Sequence, residues 1–149
     1  MNVLRIAVFV ALLQVAPPKH LTLATTSSAA SAAAGSEVSL YVDVTPKPGI
    51  HVYAPGATDF LPIGLKLDAA SGLTTGALTY PKSQTLDLEG LKIPVYDKPF
   101  RLAQRVTLDR SLKKGETITV TGTVNYQACD DKVCFIPAKA PVRWTIQVM

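Results

Sequence analysis

The chain has 149 residues, and 15 Lys and Arg against 11 Asp and Glu give it a net charge of +4. Hydrophobic residues make up 48% and charged residues 17% of the chain, a balance typical of a globular domain that excludes disorder along its whole length. No apolar run reaches the roughly 18 residues that a membrane-spanning helix needs. Basic residues are scattered singly and are not interleaved with aromatic ones, so we expect no nucleic-acid partner. The length predicts one domain, with or without a short leader.

The N-terminus has the pattern of an export signal. Arg5 precedes a mostly apolar run from Ile6 to Ala16, which fits the apolar part of a signal peptide and is too short to span a bilayer. Cleavage after this run would leave Gln14 where a small residue is preferred, and the run could instead form a buried first strand. We predict that residues 1–16 are a signal peptide and that residues 17–149 form a single exported domain in an oxidising compartment.

The body of the chain shows period-2 alternation of apolar and polar residues and almost no helical periodicity. In the clearest case, the apolar residues between Ile118 and Tyr126 alternate with Thr and Asn. Gln104 is the only polar residue on the apolar face of its run. The alternating runs are 38–44, 63–67, 100–108, 118–126 and 142–148. Because turns rich in Pro and Gly separate these runs, we predict an all-β chain folded as a two-sheet, immunoglobulin-like β-sandwich.

A low-complexity tract of Ala, Ser and Thr extends from Ala24 to Ser36. It follows a short predicted edge strand, His20–Leu23. The tract could be a flexible arm that joins this strand to the rest of the domain, or it could form a helical turn through residues 29–34. The sequence leaves both alternatives open.

Cys129 and Cys134 are the most distinctive chemical feature of the chain. They lie between a strand that ends near Tyr126 and another that we expect to begin after Pro137, so a tight turn would bring them within disulfide distance. A bond that closes a loop of about six residues contributes only roughly 2 kcal/mol in the chain-entropy model, and it would not join two sheets. Such a bond is better explained as one that opens in use, although exported proteins also pin loops with small disulfides.

Other chemistry is less well supported. A closed zinc site needs four ligands, and the only imidazoles beside the two cysteines belong to His20 and His51. We therefore expect no metal and no cofactor, and keep a Cu(I) carrier that uses both thiolates and His51 as a weaker alternative. The sequence lacks a nucleophile elbow, a phosphate loop and a His-Glu-x-x-His motif. The cysteine pair is thus the remaining candidate for chemistry, and the charges on the residues between the cysteines do not decide which one is attacked first.

Two segments carry a resemblance to a known family. Tyr126-Gln127-x-Cys129-x4-Cys134-x2-Pro137, followed by a last strand, resembles the N-terminal periplasmic domain of the thiol:disulfide interchange protein DsbD. Gly49-Ile-His-Val-Tyr-Ala-Pro55, which follows an early strand, shares the family's Gly-x-x-x-Tyr pattern. The resemblance extends over residues 20–148, although the best-known members have cysteines one residue further apart.

The resemblance implies a function in the periplasm, with any membrane association made through a partner. In that family an immunoglobulin-like domain passes electrons through its cysteine pair, from a membrane-embedded or thioredoxin-like reductase to exported client proteins, including those of cytochrome c biogenesis. The implied redox pair is Cys129 and Cys134. The implied neighbours of the pair are His51, Tyr53, Tyr126, Gln127, Phe135 and Pro137.

The resemblance also implies a cap loop, Gln84–Pro94, that shields the pair until a partner docks. The functional side chains that we assign to this cap are Asp87, Leu88, Glu89, Leu91 and Tyr96. The family carries an aromatic residue at the tip of the loop, where this chain has Leu88 or Leu91. The alternative to an electron carrier is an exported immunoglobulin-like binding module whose local disulfide is purely structural.

Overall fold

A computed structural model describes residues 18–149, so the predicted signal peptide lies outside the described residues. Within this range the chain contains twelve strands and no helix, and hence no helix that could cross a membrane. The strands are β1 (Leu21–Ser27), β2 (Ser31–Ala32), β3 (Glu37–Pro46), β4 (His51–Tyr53), β5 (Gly64–Leu67), β6 (Leu73–Thr79), β7 (Gln84–Leu88), β8 (Leu91–Tyr96), β9 (Phe100–Leu108), β10 (Thr117–Tyr126), β11 (Ala128–Cys129) and β12 (Ala138–Val148).

Two four-stranded sheets form the β-sandwich. One has the order β1-β3-β9-β6 and the other β2-β12-β10-β5. Alternate residues of β3, β10 and β12 are buried, because successive side chains of a strand point to opposite faces. The indole nitrogen of Trp144 in β12 donates a hydrogen bond of 3.1 Å to the Tyr41 carbonyl in β3, which ties the two sheets together. The predicted all-β, immunoglobulin-like sandwich is confirmed.

Gln104 is buried in the core, as its place in the alternating run predicts. Only 3% of the residue is exposed, and a buried amide costs free energy unless it is hydrogen-bonded. Its side-chain nitrogen donates to the Gly76 carbonyl at 2.8 Å, where β6 bulges away from β9 between Thr75 and Leu78. The bulge therefore supplies the acceptor that this polar side chain requires.

The Ala-, Ser- and Thr-rich tract changes from one sheet to the other. Its first residues extend β1, which pairs with β3 as far as Ser27. The chain then crosses to β12 and pairs with it as β2, and the Ser27 hydroxyl donates to the Ala29 carbonyl at 2.8 Å within the crossing. Because the backbone of the tract is hydrogen-bonded to both sheets, the helical alternative is wrong, and the tract is not a free arm.

A third sheet, β11-β4-β8-β7, carries the cysteines. Its edge strand β7 and the neighbouring strand β8 form a hairpin in which Leu88 pairs with Leu91. Glu89 and Gly90 make the turn with φ of 53° and 89°, as a two-residue hairpin turn with a glycine requires. The predicted cap segment is thus a β-hairpin and not a loop, since its alternating residues pair along its whole length.

Candidate functional site

The third sheet brings the two segments of the resemblance together. Cys129 in β11 lies directly opposite His51 in β4, and directly opposed residues place their side chains on the same face of a sheet. Cys129 and Cys134 form a disulfide whose Cα atoms are 4.1 Å apart. Cys129 is only 1% exposed, whereas Cys134 is exposed. Cys134 is therefore the cysteine that a partner can reach from solution.

Asp130 shapes the loop between the cysteines. Its carboxylate accepts hydrogen bonds from the backbone amides of Lys132 at 2.7 Å and Val133 at 2.8 Å, and its own amide donates to the Val133 carbonyl at 3.0 Å. These amide contacts hold the pKa of Asp130 below its usual value of 3.8. The loop is thus a tight turn held by an ionised carboxylate, and the predicted hairpin-like connection is confirmed.

Tyr53 touches both sulfurs of the disulfide. Its hydroxyl lies 3.1 Å from Cys129 Sγ and 3.2 Å from Cys134 Sγ. Disulfide sulfurs carry no hydrogen, so the hydroxyl is the donor. Burial raises the pKa of Tyr53 above its usual value of 10.0, which keeps the hydroxyl protonated. The ring stacks on Phe60 with a centroid distance of 4.1 Å, and this packing fixes the position of the hydroxyl.

His51 lies beside Tyr53, and their rings meet edge to face at 5.7 Å. Desolvation lowers the pKa of His51 from its usual value of 6.5, while the nearby carboxylates of Asp131, Asp97 and Asp130 oppose that effect. At neutral pH the imidazole is therefore mostly uncharged. Its Nε2 is buried and has no hydrogen-bond partner among the described residues.

A cleft of about 330 Å³ lies over the disulfide. Leu86 and Leu88 of the hairpin line it together with His51, Tyr53 and the two cysteines. Leu88 thus lies where the predicted cap would act, although 47% of the residue is exposed.

The other residues assigned to the cap have different positions. Asp87 accepts a hydrogen bond from the Gly90 amide at 2.9 Å and so stabilises the hairpin turn, and Glu89 forms part of that turn. Leu91 is exposed at the tip. Tyr96 is buried in the main core, stacks on Phe100 with a centroid distance of 4.0 Å and donates to a backbone carbonyl. Tyr96 is therefore a core residue and not a residue of the cap.

The remaining predicted neighbours lie on the other side of the cysteine loop. Gln127 connects two segments, because its oxygen accepts from the Leu61 amide and its nitrogen donates to the Phe135 carbonyl, both at 3.3 Å. Phe135 stacks on His20 with a centroid distance of 3.9 Å. Tyr126 is buried and donates to the Lys19 carbonyl at 2.7 Å. Pro137 lines a separate groove together with Phe135 and Tyr126. These residues support the loop, and no hydrogen bond connects them to the sulfurs.

The residues of the site that sequence reasoning missed include Phe60 and Leu86. Phe60 is a single aromatic in an irregular segment without periodicity, so no local pattern marks it. Leu86 is only half-buried, and the expectation of a loop concealed its alternation with Leu88. Either residue would have been a candidate if the hairpin and its register had been known.

The site is a local disulfide on an immunoglobulin-like sandwich, with Cys134 exposed and Cys129 buried, and this arrangement is consistent with the class of thiol–disulfide exchange domains. The family described as "Thiol:disulfide interchange protein DsbD, N-terminal" matches residues 20–144. The chain therefore belongs to this family of periplasmic domains, as its sequence motifs predicted. No curated protein matches the chain.

Two solved structures have a similar fold. The N-terminal periplasmic domain of ScsB from Proteus mirabilis has a TM-score of 0.59 and 15% identity, over 85% of this chain and 46% of that chain. The chain thus spans about half of the ScsB domain. The N-terminal domain of Neisseria meningitidis DsbD, in its reduced form, has a TM-score of 0.54 and 16% identity, over 89% of this chain and 95% of that one.

Proposed function

We propose that this chain is a periplasmic electron carrier that accepts two electrons from a reductase partner and passes them to exported client proteins. The reductase would be thioredoxin-like or embedded in the membrane. The observation that carries the proposal is the asymmetry of the Cys129–Cys134 disulfide: Cys134 is exposed at a tight turn, whereas Cys129 is buried, and the Tyr53 hydroxyl contacts both sulfurs.

Reduction begins at the exposed sulfur. A thiolate of the reductase attacks Cys134 Sγ, the disulfide breaks, and Cys129 leaves as a thiolate. The Tyr53 hydroxyl, 3.1 Å from Cys129 Sγ, is placed to donate a hydrogen bond to the negative charge that forms there. The second thiol of the reductase then attacks the reductase sulfur that is bonded to Cys134 in the mixed disulfide. Cys134 is released, and the carrier holds two electrons and two protons.

Delivery to a client follows the same steps in reverse. The Cys134 thiolate attacks the client disulfide and releases one client sulfur. Cys129 then attacks Cys134 Sγ, which restores the disulfide and releases the second client sulfur. The buried position of Cys129 keeps the resolving thiol away from other oxidants, because susceptibility to oxidation follows exposure.

Two exposed apolar side chains line the cleft at the disulfide, and others lie on the segments connected to it, which fits a surface on which partners dock. Of the six large hydrophobic residues exposed within residues 18–149, only Met149 belongs to the last residues of the chain. Leu88 and Val133 line the cleft with Cys134, and Leu91 pairs with Leu88. Ile136 is 88% exposed and lies two residues beyond Cys134. Leu61 is linked through Gln127 to the segment that follows the cysteines.

The reduction potential of the Cys129–Cys134 pair tests the proposal. We expect a value in the exchange range, about −180 to −270 mV, in graded thiol buffers with free thiols trapped for mass spectrometry. Cys129→Ser and Cys134→Ser should both abolish electron transfer between a reduced thioredoxin-like protein and an oxidised client peptide, with the sandwich intact by circular dichroism.

Two results would reject an electron carrier. A potential below about −300 mV would identify a structural bridge and favour the exported binding module. Full transfer by either Ser variant would exclude the pair as the carrier of electrons. Cys134→Ser and Cys129→Ser are also each other's matched controls. Only Cys129→Ser keeps the attacking Cys134 thiol, so only this variant should be trapped as a mixed disulfide with the oxidised client peptide.

A further inference from the structure

His51 has a buried nitrogen that the fold leaves without a partner. Its Nε2 is the only buried side-chain nitrogen or oxygen without a hydrogen bond in the part of the chain that the structure describes. An unpaired buried polar atom costs free energy and calls for a reason of its own, such as a catalytic role. The residues next to this imidazole, Cys129 and Tyr53, suggest such a role.

His51 lies on the same face of the third sheet as Cys129 and Tyr53. It is the cross-strand partner of Cys129, and Tyr53 lies two residues along the same strand and so on the same face. His51 also lines the cleft that contains both cysteines. This arrangement places an imidazole beside the cysteine that is hidden from solvent.

The delivery of electrons contains one step that needs a base. Once Cys134 is bound to a client in a mixed disulfide, Cys129 must lose its thiol proton as its sulfur attacks Cys134 Sγ. Cys129 is 1% exposed, so water has little access to that proton. Tyr53 is a phenol that can donate but not readily accept, since burial raises its pKa. The Asp130 carboxylate is held by two backbone amides that lower its pKa, which makes it a weak base.

We propose that His51 is the general base of this resolving step, a role that rests on the proposed carrier function. The uncharged imidazole accepts the proton of the Cys129 thiol, the new bond forms between the sulfurs of Cys129 and Cys134, and the bond from Cys134 to the client breaks. The electron pair of that bond leaves with the client sulfur as a thiolate. The imidazolium then gives its proton to solvent.

The surroundings of His51 have opposing effects on its pKa, which allows the imidazole to accept a proton and then release it. Asp97, at the end of β8, and Asp131, in the cysteine loop, line a second groove with His51, and Asp130 lies near on that same loop. Their negative charges favour the imidazolium, while desolvation favours the neutral form and has the larger effect on the pKa. The elements that pack around His51 thus present three carboxylates, the Tyr53 phenol and the side chain of Lys132, which lines the cleft over the disulfide with His51.

Rapid mixing of the reduced full chain with dithiobis-nitrobenzoate separates attack from resolution. The first release of thionitrobenzoate reports attack by Cys134 and scales with reagent concentration, and the second reports resolution by Cys129 and does not. We expect His51→Gln to slow the second release at least about tenfold, since general bases contribute 10²- to 10⁴-fold, and to leave the first unchanged. His51→Phe, which keeps a flat ring, should behave in the same way. His20→Gln is the matched control and should match the native chain.

The pH profile of the native chain is a second readout that needs no variant. Resolution should slow as the pH falls through the pKa of His51, which lies below 6.5, and this inflection should vanish in both His51 variants. Equal rates of the second release and equal pH profiles in the native and variant chains would reject His51 as the base and leave the carrier function standing. An equal slowing of the first and second releases in the His51 variants would have the same meaning. Absence of a second release from the native chain would reject both proposals.

Discussion

The hydrogen bond from Tyr53 to the sulfurs gives the most direct test of how this site works. Tyr53→Phe removes only the hydroxyl, which lies 3.1 Å and 3.2 Å from the two sulfurs. The ring keeps its stacking on Phe60, so we expect the fold to be unchanged. What is lost is a donor to whichever sulfur becomes a thiolate after reduction.

The size of the effect follows from the energy of that hydrogen bond. A hydrogen bond to a charged group contributes about 1.5–3 kcal/mol, and we take the lower end because Cys134 is exposed to solvent. One pH unit corresponds to about 1.4 kcal/mol, so the midpoint of thiolate formation should move up by about one unit. The thiolate fraction near neutral pH then falls about tenfold. Intrinsic nucleophilicity rises about threefold, because it follows basicity with a slope of about 0.4–0.5.

The rate of the first thionitrobenzoate release, measured against pH, shows both effects in one curve. Tyr53→Phe should react about threefold more slowly than the native chain at neutral pH and about threefold faster at the alkaline plateau, so the two curves should cross. Tyr96→Phe is the matched control, since its buried hydroxyl donates to the Pro81 carbonyl at 2.7 Å and not to sulfur. Superimposable curves for Tyr53→Phe and the native chain would refute the reasoning.

Two further predictions concern the turn and the sandwich. Asp130→Ala removes the acceptor of the Lys132 and Val133 amides, and NMR should show both amide shifts moving toward unstructured values. In the native chain the Asp130 carboxylate stabilises the loop fully above pH 3.8, and this stabilisation is lost as the pH falls through the lower pKa of the folded state. If the two amide resonances of the native chain had already moved at pH 6, this explanation would be contradicted. Gly122→Ala would place a Cβ 2.8 Å from a backbone oxygen of β5 and should destabilise the domain by about 1–3 kcal/mol in urea denaturation. Gly64→Ala, where the nearest atom is 3.7 Å away, is its control, and equal midpoints would show that the sheets shift to accept the methyl group.

The sequence predicted the strands that are buried on one face. Strands β3, β9, β10 and β12 alternate strictly because each has one wet and one dry face. Strands β6 and β7 were not predicted. Strand β6 is mostly exposed and rich in Thr, and β7 is the edge strand of the third sheet and has no buried residue. Where neither face is buried, the hydrophobic pattern that identifies a strand is weak.

Only the part of the site that depends on local sequence was predictable. The cysteine spacing indicated a local disulfide, and the resemblance placed His51 and Tyr53 beside it. The contact of Tyr53 with both sulfurs depends on the pairing of β4 with β11, whose residues lie more than 70 positions apart in the chain. Such a register is decided by the packing of the whole domain and not by any local pattern.

The position of the disulfide explains how a sandwich can serve as a redox carrier. Cys129 packs in a small cluster with Tyr53, Ile93 and Val95, whereas the two main sheets share a separate core around Leu40, Val120 and Trp144. Breaking a bond that closes a loop of about six residues removes roughly 2 kcal/mol, against the 5–15 kcal/mol that holds a typical domain folded. Neither cysteine belongs to the main core, so the packing of that core does not depend on the bond. The oxidised and reduced forms can therefore present the same docking surface, which a disulfide that joined the two sheets would not allow.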